Sequence, residues 1–285
     1  MFVTVCNKDY LVGLEVLLKS LVDNNPRVLE EEIPFLVISN ELEEADLEFS
    51  ASIYPFLMLR GFDTEKYKEI EEIKKQQQAH GDYTKYEVFS LENVEKVIFF
   101  DSDVLILGNI DHIIDHKADL AGVRDLYIDQ FNTGVMVIGK KHLNQNVTNA
   151  LIELTKIYGI TEHLDQDIIN YYFEGKFEEM PLSYNFLKIY HKQIFINTGL
   201  PKHVKVLHYV VKKPWQQREP VPLEQGTLWL ERYWFDYYAK VLNLKNIHQP
   251  QQVEQPQQPQ QPQVDPTAAT INSNIESLTN EGPLT

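Results

Sequence analysis

One cysteine stands in 285 residues. Cys6 alone excludes an internal disulfide and any zinc cluster of several thiolates. Set in Phe2-Val3-Thr4-Val5-Cys6, it reads as a small buried residue of a first strand. Positive charge is also scarce: 26 Lys and Arg face 42 Asp and Glu, for a formal net charge of −16. That balance disfavours nucleic acid, whose phosphates ask for an electropositive surface. It leaves room for a nucleotide substrate, because a bound metal ion neutralises a diphosphate locally. No run approaches the roughly 20 apolar residues of a membrane span. Met1 leads directly into an apolar strand, without the basic region and apolar core of a secretory leader, so a cytoplasmic location is expected. A Walker-type Gly-rich loop before Lys-Ser/Thr is missing too, which ranks P-loop phosphate transfer low. No aromatic residue follows Tyr238, and 249–263 is almost wholly Gln and Pro. Such a segment buries too little apolar area to offset its ordering entropy. The expectation is one domain over 1–245 and a disordered Gln/Pro-rich tail over 246–285.

What is present reads as an α/β chain. Phe2 to Cys6 is strand-like. Asn7-Lys8-Asp9 follows as a turn able to cap a helix. Leu11, Leu14, Leu17, Leu18, Leu21 and Val22 then recur at helical spacing until Asn24-Asn25-Pro26 stops them. Ile33 to Ser39 is a second strand. Strand, helix, strand opens an α/β sheet, where ligands sit at the carboxyl ends of strands. Helices are expected over Glu65–Gln78, Tyr83–Leu91 and Lys141–Tyr158, and strands over Asp119–Val123, Phe131–Ile138 and Val204–Leu207. Leu223 to Leu244 carries Leu228, Trp229, Tyr233, Trp234, Tyr237 and Tyr238 at helical spacing, an amphipathic helix expected to pack on the domain.

The chemistry centres on Val97-Ile98-Phe99-Phe100-Asp101-Ser102-Asp103-Val104-Leu105-Ile106-Leu107. An apolar strand runs into two acids. In an extended chain residues i and i+2 face one side, so Asp101 and Asp103 can converge on a hard cation. An isolated Asp-x-Asp is by default a pair of solvated loop acids, and the chain holds a second, Asp165-Gln166-Asp167. The second reads as the first turn of a helix, where acids are favoured by the helix dipole alone. His208 ends a late apolar strand, as Asp101 does. Lys212-Lys213-Pro214-Trp215 is the one dense basic spot, and Lys85 lies on a predicted helix.

These features resemble the glycogenin-like glycosyltransferases, glycosyltransferase family 8, over roughly residues 1–216. The resemblance is carried by Phe2-Val-Thr-Val-Cys-Asn-Lys-Asp-Tyr10, Thr84-Lys85, Asp101-Ser102-Asp103 with Gly108-Asn109-Ile110-Asp111, Phe131-Asn132-Thr133-Gly134-Val135, Leu164-Asp165-Gln166, and Leu207-His208-Tyr209 leading to Lys213-Pro214-Trp215. It implies an α/β chain with the GT-A nucleotide-diphospho-sugar transferase fold, a mixed central sheet flanked by helices. It implies a UDP-sugar donor, Mn²⁺, and retention of anomeric configuration. Asp101, Asp103 and His208 match the metal ligands. Lys213 matches the lysine on the diphosphate, and Lys85 one near the nucleotide and sugar. Thr4, Val5, Asn7 and Tyr10 match the uridine pocket, with Ser102 beside the donor. Asn132, Asp165 and Gln166 match the donor-sugar and acceptor side, Asp165 being the candidate stabiliser or transient nucleophile.

The departures also carry expectations. Val210-Val211-Lys212 lacks the glycine frequent between the histidine and the lysine, so the diphosphate contact is expected to be reshaped. Asp167 stands where a small residue is frequent in glycogenin. Tyr184 and Tyr190 lie where glycogenin carries its self-glucosylated tyrosine, but in different surroundings, so glycogen priming does not transfer. The reading is a hexosyltransferase, glucose or galactose being the hexose, acting on an acceptor hydroxyl of a sugar, polyol, lipid or protein. The alternative is a non-catalytic nucleotide- or sugar-binding module, or an interaction protein acting through its Gln/Pro-rich tail. A homodimer and a protein partner for that tail are left open.

Overall fold

The computed structural model describes residues 1–78, 83–190, 200, 202–216 and 230–248. In chain order these form β1 (Phe2–Val5), α1 (Leu11–Asn24), α2 (Arg27–Glu30), β2 (Phe35–Ile38), α3 (Glu44–Ile53), β3 (Leu57–Arg60) and α4 (Lys68–Gln77). Then come β4 (Lys96–Phe100), β5 (Val104–Ile106), α5 (Asp111–Ile114), β6 (Leu120–Arg124), β7 (Phe131–Gly139), α6 (Gln145–Tyr158) and α7 (Asp165–Tyr172). The last are β8 (Glu178–Glu179), β9 (Phe186–Leu187), β10 (Val206–His208) and α8 (Glu231–His248). The chain separates into two compact units, Met1–Asn246 and Ile247–Thr285. Of the tail expected over 246–285, residues 246–248 belong to α8 and 249–285 lie outside the described residues, as do residues 223–229 of the predicted amphipathic helix.

Seven strands form one mixed sheet in the order β3-β2-β1-β4-β7-β6-β8. The left half is parallel, β7 runs antiparallel to both β4 and β6, and β8 is parallel to β6. The central strands are apolar throughout because both faces are covered. Phe2, Phe35, Val37, Ile98 and Phe100 enter one core, and Val3, Leu36, Ile38, Val97 and Phe99 enter the other, in strict alternation. A second sheet, β5-β10-β9, sits beyond the end of β4. It pairs His208 with Leu187 and, across roughly a hundred residues of chain, with Val104.

Several boundaries differ from the sequence expectation. The segment expected as a helix over Tyr83–Leu91 is a 3-10 helix, Thr84–Ser90. Its Tyr86, Val88 and Phe89 all lie in the core, an arrangement one stripe of an α-helix does not provide. The late strand is Val206–His208, so His208 is its last residue and not the residue after it. Asp101-Ser102-Asp103 is a turn: the Val104 N–H donates to the Asp101 carbonyl at 3.3 Å. The two carboxylates converge because the chain reverses there, not because it is extended. The strand β3 was not anticipated, since its residues are half-buried or exposed at a sheet edge.

The C-terminal helix α8 packs on α1, as its aromatic spacing suggested. Leu230, Trp234 and Val241 are buried. The Asn24 amide donates to Tyr237 Oη at 2.7 Å, and Lys240 and Lys245 pair with Asp23 and Glu15.

Candidate active site

Three elements end at one place. β1 runs into Asn7, whose side chain accepts from the Tyr10 N–H at 3.2 Å and so starts the next turn. β4 runs into the Asp101–Asp103 turn, anchored by the Asp101 N–H donating to Gly134 O at 2.8 Å. β10 ends at His208, and the Tyr209 N–H donates to Asp103 O at 3.0 Å. Between them opens a cleft of about 490 Å³, lined by Val5, Cys6, Asn7, Tyr10, Lys85, Asp101, Ser102, Asp103, Leu164, Asp165 and Lys213. A cleft of about 570 Å³ beside α7 is larger, but no lysine or histidine lines it, so the chemistry belongs to the former.

The acids and cations interlock. His208 Nε2 lies 3.2 Å from Asp103 Oδ1 and 3.7 Å from Asp101 Oδ2. One oxygen of each acid and one ring nitrogen lie within 4.8 Å of one another, the one such group among the described residues. Lys213 Nζ pairs with the other oxygen of Asp103. Lys85 Nζ lies 3.1 Å from Asp101 Oδ1, 3.1 Å from Asp165 Oδ2 and 3.2 Å from Thr133 Oγ1.

Protonation follows from these contacts. Burial alone would raise the Asp103 carboxyl, but the His208 ring and the Lys213 ammonium outweigh it and hold it well below the usual carboxylate range. For Lys85, burial opposes the charge, yet Asp101 and Asp165 together keep the ammonium more firmly protonated than usual. Lys213 is raised the same way, chiefly by Asp103. Asp165 goes the other way: burial raises it, Lys85 only partly compensates, and Asp101 repels it. The asymmetry has a simple cause. One ammonium is shared by two carboxylates, so the cation is held by both while Asp165 has only a share of it and feels Asp101.

Gly134 makes room for the histidine. A Cβ there would lie 2.2 Å from His208 Cε1 and 2.9 Å from Asp101 Oδ2, so only a residue without a side chain lets the ring reach the acids. Gly13 does the same for the turn, since a Cβ there would lie 2.6 Å from Ser102 O and 2.7 Å from the Trp215 ring. Trp215 in turn meets Tyr10 edge-on at 5.4 Å. Asp165 opens α7 directly after Leu164, whose φ of +54° is a strained, left-handed conformation.

Of the residues expected at the site, Val5, Asn7, Tyr10, Lys85, Asp101, Ser102, Asp103, Asp165 and Lys213 line the cleft, and His208 closes its floor. Thr4, Asn132 and Gln166 lie behind that lining, 0%, 8% and 8% exposed. The latter two engage each other, Asn132 Nδ2 donating to Gln166 Oε1 at 3.0 Å. Two residues went unread. Thr133 bridges Lys85 and Asp165, donating to Asp165 Oδ2 at 3.2 Å; its signal was the small polar entry to β7. Asn185, fully buried, meets His208 Nδ1 at 3.0 Å; no local signal marks it. Tyr184 and Tyr190 are both buried, so neither ring is displayed on the surface. No described helix is long and apolar enough to cross a membrane.

Residues 2–219 match the sequence profile described as Glycosyl transferase family 8. Mouse glycogenin-1 is 31% identical over 144 residues, covering 46% of this chain and 41% of that protein. Glycosyltransferase GlyB of Streptococcus pneumoniae serotype 4 is 25% identical over 159 residues, covering 48% of this chain and 39% of that protein. The chain thus spans about two-fifths of the length of these relatives. Among solved structures, apo glycosyltransferase GlyE of Streptococcus pneumoniae superposes with a TM-score of 0.65 at 20% identity, over 85% of this chain and 61% of the other. The galactosyltransferase LgtC, in complex with donor and acceptor sugar analogs, superposes with a TM-score of 0.62 at 19% identity, over 84% of this chain and 95% of the other. The likeness fixes the architecture as the GT-A fold. A match that runs from the first strand to beyond Lys213 puts the whole cleft inside one family, and the chain belongs to glycosyl transferase family 8.

Proposed function

We propose that the chain is a Mn²⁺-dependent, retaining hexosyltransferase that moves glucose or galactose from a UDP-sugar to an acceptor hydroxyl. The observation that carries this reading is the convergence of Asp101, Asp103 and His208 within 4.8 Å, flanked by two half-buried lysines. Two carboxylates and one imidazole are a donor set suited to a divalent ion of the Mn²⁺ type, so the residues present fit the metal. A bound Mn²⁺ would supply a Lewis acid against the diphosphate leaving group.

The chain's own residues do the rest. Lys213 holds positive charge on the diphosphate side of the turn, where negative charge grows as the glycosidic bond breaks. Tyr10 and Asn7, at the end of β1, hold the nucleoside end of the cleft. Lys85 presents the second cation, and its shared grip on Asp165 and Thr133 keeps that carboxylate in place beside the reacting sugar. Leu164 and Cys6 add apolar lining to the cleft. We place the transferase domain in residues 1–245 and assign the Gln/Pro-rich segment a role outside the chemistry. The acceptor is a sugar, polyol, lipid or protein hydroxyl.

The test is UDP release from a panel of UDP-sugars with and without Mn²⁺, using the wild type and Asp103→Ala. UDP release that requires Mn²⁺ and falls about a thousandfold in the variant is expected. Binding of UDP without turnover of any UDP-sugar would instead favour a binding module.

A further inference from the structure

Asn185 lies between the 3-10 turn Leu182–Tyr184 and β9, with none of its surface exposed. Its two amide atoms face two different partners. Nδ2 lies 2.7 Å from Asn132 Oδ1, and Oδ1 lies 3.0 Å from His208 Nδ1. Amide orientations are a matter of hydrogen-bond logic, and here the logic is anchored in the main chain. The Gly134 N–H donates to Asn132 Oδ1 at 3.0 Å, and a backbone N–H only donates, so that atom is oxygen. The Thr133 N–H donates to Gln166 Oε1 at 3.4 Å, which fixes the Gln166 oxygen in the same way. The Asn132 amino group then donates to that oxygen at 3.0 Å, consistent from both ends. Facing an acceptor on Asn132, Asn185 must turn its amino group there and its carbonyl to His208. The ring nitrogen opposite that carbonyl must carry the proton.

We propose that Asn185 is a positioning residue that keeps a proton on His208 Nδ1, so that Nε2 is the ring atom presented to Asp101 and Asp103. The role rests on reading those three residues as a metal site. Nε2 lies 3.2 Å from Asp103 Oδ1 and 3.7 Å from Asp101 Oδ2, close enough for one cation, a proton or a metal ion, to be shared between them. A metal ion there turns ring and acids into ligands, so the proton on Nδ1 prepares the ring for metal. The partner of a ligating histidine's second nitrogen is commonly a carboxylate or a backbone carbonyl. Here a side-chain amide takes that place, and it also connects the ligand to Asn132 and Gln166 beneath the cleft. Among the described residues Asn185 is the hydrogen-bond partner of Nδ1, and Gly134 packs against the same edge of the ring, where a Cβ would lie 2.6 Å from Nδ1.

The experiment uses the full chain and three proteins: wild type, Asn185→Leu and Asn185→Asp. Histidine ¹⁵N spectra of the metal-free protein in alkaline buffer report the tautomer, with His208 assigned by its loss in His208→Gln. Mn²⁺ titration without nucleotide reports affinity. In the wild type, Nδ1 should carry the proton. Asn185→Leu should lose the single tautomer and bind Mn²⁺ about 10- to 100-fold more weakly. Asn185→Asp keeps the acceptor for Nδ1–H and should recover most of the affinity while losing the amino group that reaches Asn132. A residue that merely fills space would change thermal stability without moving the tautomer, and Asp would not restore it. An Nε2–H tautomer in the wild type, or unchanged Mn²⁺ affinity in Asn185→Leu, would overturn the proposal. The wild-type spectrum and the Asp variant decide it even where Leu does not fold. A wild type that binds no Mn²⁺ would sink the metal reading and this role together, and it is told apart from the other failures because no substitution is needed to see it.

Discussion

Gly134 and His208 approach so closely that a single methyl group on residue 134 would lie 2.2 Å from the imidazole Cε1. Real Cβ atoms do not tolerate that contact, so Gly134→Ala must displace either the ring or strand β7. The strand is held by five register pairs to β4, whereas the ring ends a three-residue strand. The ring should therefore move. Overpacking of this kind costs about 1–3 kcal/mol. We expect a modest fall in the denaturant midpoint and a loss of Mn²⁺ binding out of proportion to it. A variant that binds Mn²⁺ normally would show that the ring does not need its present position.

Lys85 holds Asp101 and Asp165 apart as well as together. Its ammonium lies 3.1 Å from each, and removing it leaves two half-buried acids facing one another. Lys85→Met should destabilise the fold by about 3 kcal/mol, the lower end for breaking a buried pair, since Asp101 retains some water contact. Adding Asp165→Asn should return part of that loss, because one of the stranded charges is gone. Chemical denaturation of the two single variants and the double variant measures the coupling. Strict additivity would mean the three groups do not act as a unit.

How much of this was visible in the chain depends on the range of the interaction. The apolar runs of β1, β2 and β4 were legible because each strand is buried on both faces and hydrophobicity alone marks it. Asp101, Asp103 and His208 were legible because polar residues at the ends of such runs are conspicuous. Edge strand β3 was not, since its residues are half-covered and read like a loop. The reason the acids converge was also hidden: a turn closed by one backbone hydrogen bond replaces the extended geometry that i, i+2 spacing suggests. The partners of Asn185 and Thr133 were hidden for a different reason. The polar entry to β7 marked Thr133 but not what it meets, which depends on β7 lying beside β4; Asn185 depends on β9 lying beside β10, and no local pattern in residues 182–187 announces that.

The missing glycine after His208 has left a mark. Val211 occupies the left-handed region, with φ of +68°. A β-branched residue there is strained by about 1–3 kcal/mol. Val211 is 77% exposed, so its side chain contributes little packing in return. Val211→Gly should therefore stabilise the protein by about 1 kcal/mol, the relieved strain exceeding the added freedom of glycine in the unfolded chain. The denaturant midpoint tests this directly. A destabilised variant would mean that the valine makes contacts worth more than its strain. The same substitution loosens the segment that presents Lys213, so the KM for the donor is expected to rise while the fold becomes more stable.

Asp165 and Asp103 make opposite contributions to stability, and pH separates them. The Asp165 carboxyl is raised by burial and by Asp101, so in the window between the ordinary carboxylate pKa, about 3.9, and its own folded value the folded protein binds more protons than the unfolded chain. Stability then falls as pH rises through that window, and at neutral pH the ionised group is a net cost. Asp165→Asn should be more stable than the wild type near neutrality, with the advantage shrinking to nothing in acid. Asp103 is depressed by His208 and Lys213, which outweigh its burial. Its contribution is present above the ordinary carboxylate pKa and is lost as pH falls through the lower folded value. Asp103→Asn should therefore be destabilised at neutral pH, and that gap should close only in strong acid. Denaturant midpoints of the three proteins across acid and neutral pH give both slopes at once. If Asp165→Asn were less stable than the wild type at every pH, the shared-ammonium description of Lys85 would be wrong. If it is more stable yet loses about a hundredfold or more of UDP release, the ionised acid is kept for the reaction at the expense of the fold.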